Sequence, residues 1–182
     1  MNNDIARVLI SEEQLQKRIR EMGAEIALDY AGKNPTMVCI LKGAVMFYTD
    51  LLRNIPVPLT MDFMAVSSYG NRTKSSGEVE IRKDLSTSIE NKHVIIVEDI
   101  VDSGFTLSYL TRMLASRGAA SIRLATLLDK PARRAPGITL KSDYSGFVVG
   151  DEFVVGYGLD YAEQYRNLPY IGVLKPEVYQ GK

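Results

Sequence analysis

Apolar residues near the N-terminus recur with the period of an α-helix. The sequence between residues 12 and 30 carries a large apolar side chain every three or four positions, namely at Leu15, Ile19, Met22, Ile26 and Tyr30. Such a stripe predicts a helix that packs one face against a core. Ser11, followed three residues later by Gln14, is typical of a capping box at the start of the helix, and Gly32 suits its end.

Further along the chain, short apolar runs alternate with helical patterns. We predict strands at 36–41, 58–69, 93–98 and 121–128. Helices are predicted from Lys42-Gly43 to Leu52 and from Gly104 to about Gly118. The run 94–97 contains only Val and Ile, which is typical of strands buried on both faces of a parallel sheet. The alternation predicts an α/β fold with a parallel twisted sheet flanked by helices.

Two segments depart from this alternation. Residues 70–77 are polar and contain two glycines, so we predict a mobile loop or hairpin tip. From Asp143 onward the chain shows only short β-like runs rich in glycine and aromatic residues. We therefore predict one domain, residues 1–182, with a core at about 33–142. A small β-rich hood from about 1–10 and 143–182 is expected to lie over that core rather than continue its sheet.

Composition narrows the class of protein. The 182 residues include 22 Lys and Arg and 22 Asp and Glu, so the formal net charge is zero. This argues against broad binding to nucleic acid or to a membrane surface, which usually needs a basic excess. The N-terminus lacks a signal-peptide pattern, and the single Cys39 allows no internal disulfide. We predict a soluble cytoplasmic protein, with Cys39 as a buried small apolar residue.

The segment after the central strand carries the clearest chemistry. Glu98 and Asp99 end the strand, and Asp102 follows in the turn. Ligands of open α/β sheets bind outside the carboxyl ends of the strands. Carboxylates at this place suit the hydroxyl groups of a sugar. The simpler alternative is that these acids only cap a helix or face solvent.

The residues that follow suit an anion. Ser103, Gly104, Phe105 and Thr106 lead into the next helix, where backbone N–H groups, hydroxyls and the helix N-terminus can surround a phosphate. The segment lacks the Gly-Lys-Ser/Thr of nucleoside-triphosphate loops. Beside the carboxylates, this loop predicts recognition of a phosphorylated sugar.

Several motifs together resemble one enzyme family. The segment Val-Glu-Asp-Ile-Val-Asp-Ser-Gly-Phe-Thr (97–106) resembles the phosphoribosyl-pyrophosphate motif of the purine/pyrimidine phosphoribosyltransferases, most closely bacterial-type hypoxanthine (hypoxanthine-guanine) phosphoribosyltransferases. Cys-Ile-Leu-Lys-Gly (39–43) resembles their pyrophosphate loop, and Ser68-Tyr69 the start of their mobile lid. Segments 127–134 and 152–161 resemble their purine-binding hood. The resemblance covers about residues 5–175 and implies the type I phosphoribosyltransferase fold.

The resemblance implies magnesium-dependent purine salvage. A phosphoribosyl group would pass from phosphoribosyl pyrophosphate to hypoxanthine, and to guanine as well, giving IMP or GMP and pyrophosphate. Glu98 and Asp99 would hold the ribose hydroxyls directly or through Mg²⁺, and Asp160 would be a further magnesium carboxylate. Asp102 would exchange a proton with the purine ring nitrogen. Its alternative role is a helix N-cap.

The resemblance also implies which residues contact pyrophosphate. Lys42, Gly43, Arg166 and, more weakly, Arg134 would contact pyrophosphate. The Leu41–Lys42 bond can be cis in the family. Without the family context, a solvated Lys42 would be the simpler interpretation.

Four residues are implied for the purine. Lys130 would donate to its 6-oxo group, which favours 6-oxopurines over adenine. Phe153 would stack on the ring, although core packing is an equal alternative from composition, with Val154 and Asp160 at the ring edge. His93 is the only histidine and precedes the central strand, so we expect it at the end of the sheet away from the site.

Two other functions stay open. A regulator of the same fold could bind phosphoribosyl pyrophosphate without catalysis, but a basic face would then be expected. A xanthine- or pyrimidine-directed transferase lies within the enzyme class, and side-chain identity does not rank hypoxanthine, guanine and xanthine. Symmetric association is the default for such enzymes, and the resemblance implies a homodimer or homotetramer.

Overall fold

The computed structural model describes residues 1–68 and 79–180. The strands are β1 (Ile5–Ile10), β2 (Thr36–Leu41), β3 (Thr60–Ser68), β4 (Val79–Lys83), β5 (His93–Val101), β6 (Ser121–Asp129), β7 (Tyr144–Val148), β8 (Val154–Val155) and β9 (Ile171–Leu174). The α-helices are α1 (Glu12–Asp29), α2 (Val45–Arg53), α3 (Phe105–Ala115) and the short α4 (Pro176–Tyr179). Each strand and helix predicted from the alternating pattern is therefore present, with ends shifted by a few residues.

A six-stranded sheet forms the core, in the order β4-β3-β2-β5-β6-β7. All its pairings are parallel except that of the edge strand β4 with β3. The sheet is therefore mixed, with one antiparallel strand added to the predicted parallel core. Helices flank it, as predicted for the type I phosphoribosyltransferase fold. Within the described residues, no helix is long and apolar enough to cross a membrane.

Strand β7 corrects the predicted boundary between core and hood. Residues Tyr144–Val148 pair in parallel with β6 and so continue the main sheet, although we expected everything after Asp143 to lie outside it. Gly146 makes the close pairing possible, because a Cβ at this position would lie 2.3 Å from the backbone oxygen of Leu127. Five residues that include a serine and a glycine give only a weak strand pattern, and no α-helix lies between β6 and β7.

A second sheet joins the two ends of the chain. Its order is β1-β9-β8, and both pairings are antiparallel. This is the predicted hood, built from the N-terminal strand and the C-terminal segment after residue 150. Because β1 and β9 are far apart in sequence, their pairing ties both termini to one small layer beside the core sheet.

Helix α1 forms as its apolar stripe predicts. Ser11 and Gln14 make both hydrogen bonds of the capping box, and the five stripe residues are buried. Gly23 packs against the end of α2, where a Cβ would lie 2.4 Å from the backbone oxygen of Asn54. Cys39 is fully buried in β2, as expected for a small apolar residue. His93 begins β5, at the amino end of the strand and opposite the carboxyl end that carries Glu98 and Asp99.

Candidate active site

A cleft of about 320 Å³ opens at the carboxyl ends of β2 and β5. The predicted site residues among those that line it are Gly43, Glu98, Asp99, Asp102, Ser103, Gly104, Thr106, Asp160 and Arg166. The cleft therefore brings together the strand-end carboxylates, the anion loop and two residues of the hood segment that are about 60 positions away in sequence. Lys42, Phe105, Lys130, Arg134, Phe153 and Val154 are not among the lining residues.

The anion loop is shaped by a glycine. Gly104 has a φ of 83°, in the left-handed region, and is the N-cap of α3 without a side-chain cap. A Cβ there would also lie 2.8 Å from Ile138 Cγ2. The first N–H groups of a helix have no acceptor within the helix. In α3 these groups stand at one end of the cleft, where phosphate oxygens can accept from them.

Asp102 does not cap α3, which corrects one of the two roles considered for it. Its carboxylate instead accepts a hydrogen bond from Arg133 Nε, with Asp102 Oδ1 3.0 Å away. Both side chains are about half exposed, at 48% for Asp102 and 50% for Arg133. Since Asp102 also lines the cleft, its carboxylate is free to exchange the arginine for a substrate atom at small energetic cost.

Arg134 supports the anion loop through two hydrogen bonds. It donates from Nη1 to the backbone oxygen of Asp102 over 2.9 Å, and from Nη2 to the carboxylate of Asp129. Its side chain is only 14% exposed. The guanidinium is thus bound to the backbone and to the partly buried carboxylate of Asp129, and it supports the loop. These contacts do not favour the weak assignment of Arg134 to pyrophosphate, which stays a prediction.

Glu98 and Asp99 form a partly buried acidic pair. Burial, reinforced by the adjacent Asp99 carboxylate, raises the pKa of Glu98 well above its usual value of 4.5. Burial also raises the pKa of Asp99. Such a pair costs free energy in the folded protein until a cation or hydroxyl donors satisfy it. Gly43 lies directly against Asp99, because a Cβ at Gly43 would fall 1.7 Å from Asp99 Oδ2.

The predicted pyrophosphate loop (39–43) and the hood segment are in backbone contact. A Cβ on Gly158 would lie 2.0 Å from the backbone oxygen of Gly43, so only glycine allows this approach. The Leu41–Lys42 peptide bond is cis. Lys42 is exposed, and its Nζ lies 2.9 Å from Oε2 of Glu163, a residue that the sequence did not single out.

Two contacts fix the Arg166 guanidinium, and its Nε remains as a further donor. Its Nη1 donates to the backbone oxygen of Gly158 over 2.7 Å, and its Nη2 lies 2.9 Å from Asp160 Oδ1. Its Nε is buried and has no hydrogen-bond partner within the part of the chain that the structure describes. Because Arg166 and Asp160 both line the cleft, this side chain suits an anionic ligand there.

The predicted purine residues are linked to each other beside the cleft. Lys130 is 8% exposed, and its Nζ donates to the backbone oxygen of Glu152 over 2.7 Å. Burial lowers the pKa of its ammonium group. Glu152 directly precedes Phe153, and Val154 begins β8. Lys130 therefore both offers a buried cation and fixes the start of the segment that carries the predicted purine contacts.

Phe153 is an exposed aromatic ring, which does not favour the core-packing alternative. It is 37% exposed. Its ring stacks on Tyr179, with centroids 4.8 Å apart and planes at 22°, and meets the edge of Tyr161 at 5.7 Å. Nothing in the sequence marks Tyr179 as a ring partner, because it lies in a helix of only four residues near the C-terminus.

The lid and the metal remain predictions. Ser68 ends β3, whereas Tyr69 and most of the predicted lid lie outside the described residues. Across residues 1–68 and 79–180, no group of three or more His, Cys, Asp or Glu side chains is placed to hold a metal ion. Magnesium needs no such cluster, because it binds one or two carboxylates together with substrate oxygens and waters. Glu98, Asp99 and Asp160 around one cleft fit that demand.

The fold and the cleft define a class of protein. Residues 10–162 match the family model described as the phosphoribosyl transferase domain, and the chain belongs to this family.

Within this family, the chain is similar to enzymes that act on hypoxanthine and guanine. The chain is 58% identical over 180 residues to the hypoxanthine-guanine phosphoribosyltransferase of Bacillus subtilis (strain 168), covering 99% of both chains. A crystal structure of a hypoxanthine phosphoribosyltransferase from Staphylococcus aureus superimposes with a TM-score of 0.95 at 54% identity, covering 98% of this chain and 96% of that one.

One group of relatives is longer. The chain is 62% identical over 179 residues to the bifunctional protein TilS/HprT of Listeria innocua. That match covers 98% of this chain but 27% of the Listeria protein, so the chain spans about a quarter of the length of this relative.

Proposed function

We propose that this protein transfers a phosphoribosyl group from phosphoribosyl pyrophosphate to hypoxanthine and guanine, giving IMP or GMP and pyrophosphate. The observation that carries the proposal is the composition of one cleft. The anion loop after β5, the Glu98–Asp99 pair and the Asp160–Arg166 pair face the same space. These are the groups that a phosphate, ribose hydroxyls and a pyrophosphate require. The names of the relatives in Bacillus and Staphylococcus support the same reaction.

The residues have separate tasks in this reaction. Breaking the anomeric C–O bond leaves an oxocarbenium-like centre, so the enzyme must position the base and stabilise the leaving group. The N–H groups at the start of α3, with Ser103 and Thr106, bind the 5′-phosphate. Arg166 and the loop at Lys42-Gly43 bind pyrophosphate. Glu98, Asp99 and Asp160 would hold magnesium, which would supply positive charge for the leaving pyrophosphate.

The base is recognised beside the cleft. Lys130 donates to the 6-oxo group, Phe153 stacks on the ring, and Val154 and Asp160 lie at the ring edge. Asp102 exchanges a proton with a ring nitrogen of the purine. Cytoplasmic location and assembly as a homodimer or homotetramer remain predictions. Size-exclusion chromatography with light scattering tests the oligomeric state, and the expected mass is two or four times 20.3 kDa.

The reaction is tested by incubating the protein with phosphoribosyl pyrophosphate, magnesium and one base at a time. Hypoxanthine, guanine, xanthine, adenine and uracil form the panel, and the nucleotide products are separated and quantified. We expect product with hypoxanthine and guanine and little with adenine or uracil. No product with any base would overturn the proposal and favour a regulator that only binds phosphoribosyl pyrophosphate. Steady-state constants then rank the 6-oxopurines.

A further inference from the structure

The carboxylate of Glu163 lies between two cations, Arg166 of the cleft lining and Lys42, which directly precedes the lining residue Gly43. Lys42 Nζ is 2.9 Å from its Oε2, and Arg166 Nη2 is 3.5 Å from its Oε1. Each oxygen thus faces a different positive group. The carboxylate occupies the position that an anionic ligand shared by the two cations would take.

A tight turn holds Glu163 in this position. Ala162 and Glu163 both have left-handed backbone conformations, with φ of 51° and 63°. The backbone N–H of Glu163 donates to Asp160 Oδ2 over 2.9 Å. The side chain itself is 66% exposed and makes its polar contacts with the two cations. Its orientation is therefore set by the backbone and by charge, and the fold does not depend on it.

We propose that Glu163 is a positioning residue of the pyrophosphate subsite, whose carboxylate stands in for pyrophosphate oxygens and competes with them for Lys42 and Arg166. The inference rests on the proposed function, which assigns these two cations to pyrophosphate. An occupied subsite requires that Glu163 release them. Glu163 therefore keeps the cations oriented between turnovers, weakens pyrophosphate binding and favours its release.

The test compares pyrophosphate affinity in four proteins. Wild type, Glu163→Gln, Glu163→Ala and Glu25→Gln are titrated calorimetrically with inorganic pyrophosphate in excess magnesium. Glu25 is the matched control, because it also forms an exposed ion pair, with Arg18 at 2.9 Å, but on α1 away from the cleft. Exposed ion pairs contribute about 0.2–1 kcal/mol. We therefore expect Glu163→Gln to lower the Kd of pyrophosphate by a factor of about 1.4 to 5.

Kinetics and salt separate this role from a structural one. The inhibition constant of pyrophosphate against phosphoribosyl pyrophosphate should fall in Glu163→Gln, whereas the KM for hypoxanthine should not change. The gain should shrink at high ionic strength, because exposed charges are screened. Glu163→Ala should bind at least as tightly as Glu163→Gln, and Glu25→Gln should match wild type. A Kd equal to or above that of wild type in both Glu163 variants would overturn the inference. Absence of turnover in wild type, with pyrophosphate binding tightened in the variants, would instead overturn the proposed function.

Discussion

Lys130 Nζ donates to the backbone oxygen of Glu152 over 2.7 Å, which connects the end of β6 to the residue before Phe153. Lys130 is almost fully buried, and burial lowers its pKa. Burying an ammonium group costs free energy unless hydrogen-bond acceptors surround it. This cation therefore has two tasks in our proposal: it orients the chain that carries Phe153, and it offers a further donor to the 6-oxo group of the base.

Replacing Lys130 by Met should lower kcat/KM for hypoxanthine by about ten- to hundredfold, since a hydrogen bond to a charged group is worth about 1.5–3 kcal/mol. The ratio of activity with hypoxanthine to activity with adenine separates the two tasks. Loss of the 6-oxo donor should reduce this ratio, whereas displacement of Phe153 alone would reduce activity with both bases equally. Steady-state kinetics with each base measures the ratio. An unchanged ratio would refute the assigned donor role.

Glu98→Gln should stabilise the free protein while it weakens substrate binding. Because the pKa of Glu98 is raised in the folded state, its contribution favours folding at low pH and is lost as pH rises through the folded-state pKa. The melting temperature of the variant should therefore exceed that of wild type at pH 8. A difference in the free energy of unfolding of about 1 kcal/mol corresponds to a few degrees. This difference should shrink as pH falls toward 4.5, the usual pKa of Glu98.

Melting curves at several pH values, with and without phosphoribosyl pyrophosphate and magnesium, measure both effects. The ligand should raise the melting temperature of wild type more than that of Glu98→Gln. A variant that melts below wild type at pH 8 would show that the charged carboxylate is satisfied in the free protein. Equal ligand stabilisation of the two proteins would exclude a role for Glu98 in binding.

Residue chemistry alone predicts the parts of the site that are local in the chain, whereas the distant Asp160 and Arg166, which also line the cleft, were predicted only through the family resemblance. Glu98, Asp99 and the loop to Thr106 follow one strand directly, so the strand end, the turn and the helix start place them together. The same holds for the capping box and the buried stripe of α1. In each case neighbouring residues determine the geometry, and residue type alone carries the chemistry.

The contacts that the sequence does not predict are made between distant segments. Arg133 with Asp102, and Glu163 with Lys42, join residues 31 and 121 positions apart. Charged residues of this kind are common on exposed loops, and nothing in their spacing marks a partner. The edge strand β7 was assigned to the hood instead of the main sheet, because nothing in its five residues marks β6 as their partner.

Asp102→Asn should keep the fold and lower turnover. Asn has the same shape but cannot accept a proton at the purine nitrogen, and such proton transfer is typically worth about 10²–10⁴-fold. The lost ion pair with Arg133 is half exposed, so it should change stability by less than about 1 kcal/mol. Asp151→Asn is the matched control, because Asp151 Oδ1 accepts from the same arginine over 2.9 Å. We expect near-normal kcat in the control, and undiminished kcat in Asp102→Asn would refute the assignment.

Tyr179 covers one face of Phe153 and so should determine how well the other face receives a base. Tyr179 packs beside the hood cluster that contains Val155 and Leu174, and its ring lies nearly parallel to that of Phe153. An aromatic pair of this kind contributes about 0.5–1.5 kcal/mol. Removing it in Tyr179→Ala should leave the Phe153 ring free to rotate.

The KM for hypoxanthine should then rise about two- to tenfold in Tyr179→Ala, from the same aromatic energy. Tyr179→Phe keeps the stacked ring and should behave as wild type. The KM for phosphoribosyl pyrophosphate should not change in either variant, because Tyr179 does not line the cleft. Steady-state kinetics with each substrate varied in turn measures both constants. A parallel rise in both KM values would indicate general loosening of the hood, and an unchanged KM for hypoxanthine would show that Phe153 needs no support from Tyr179.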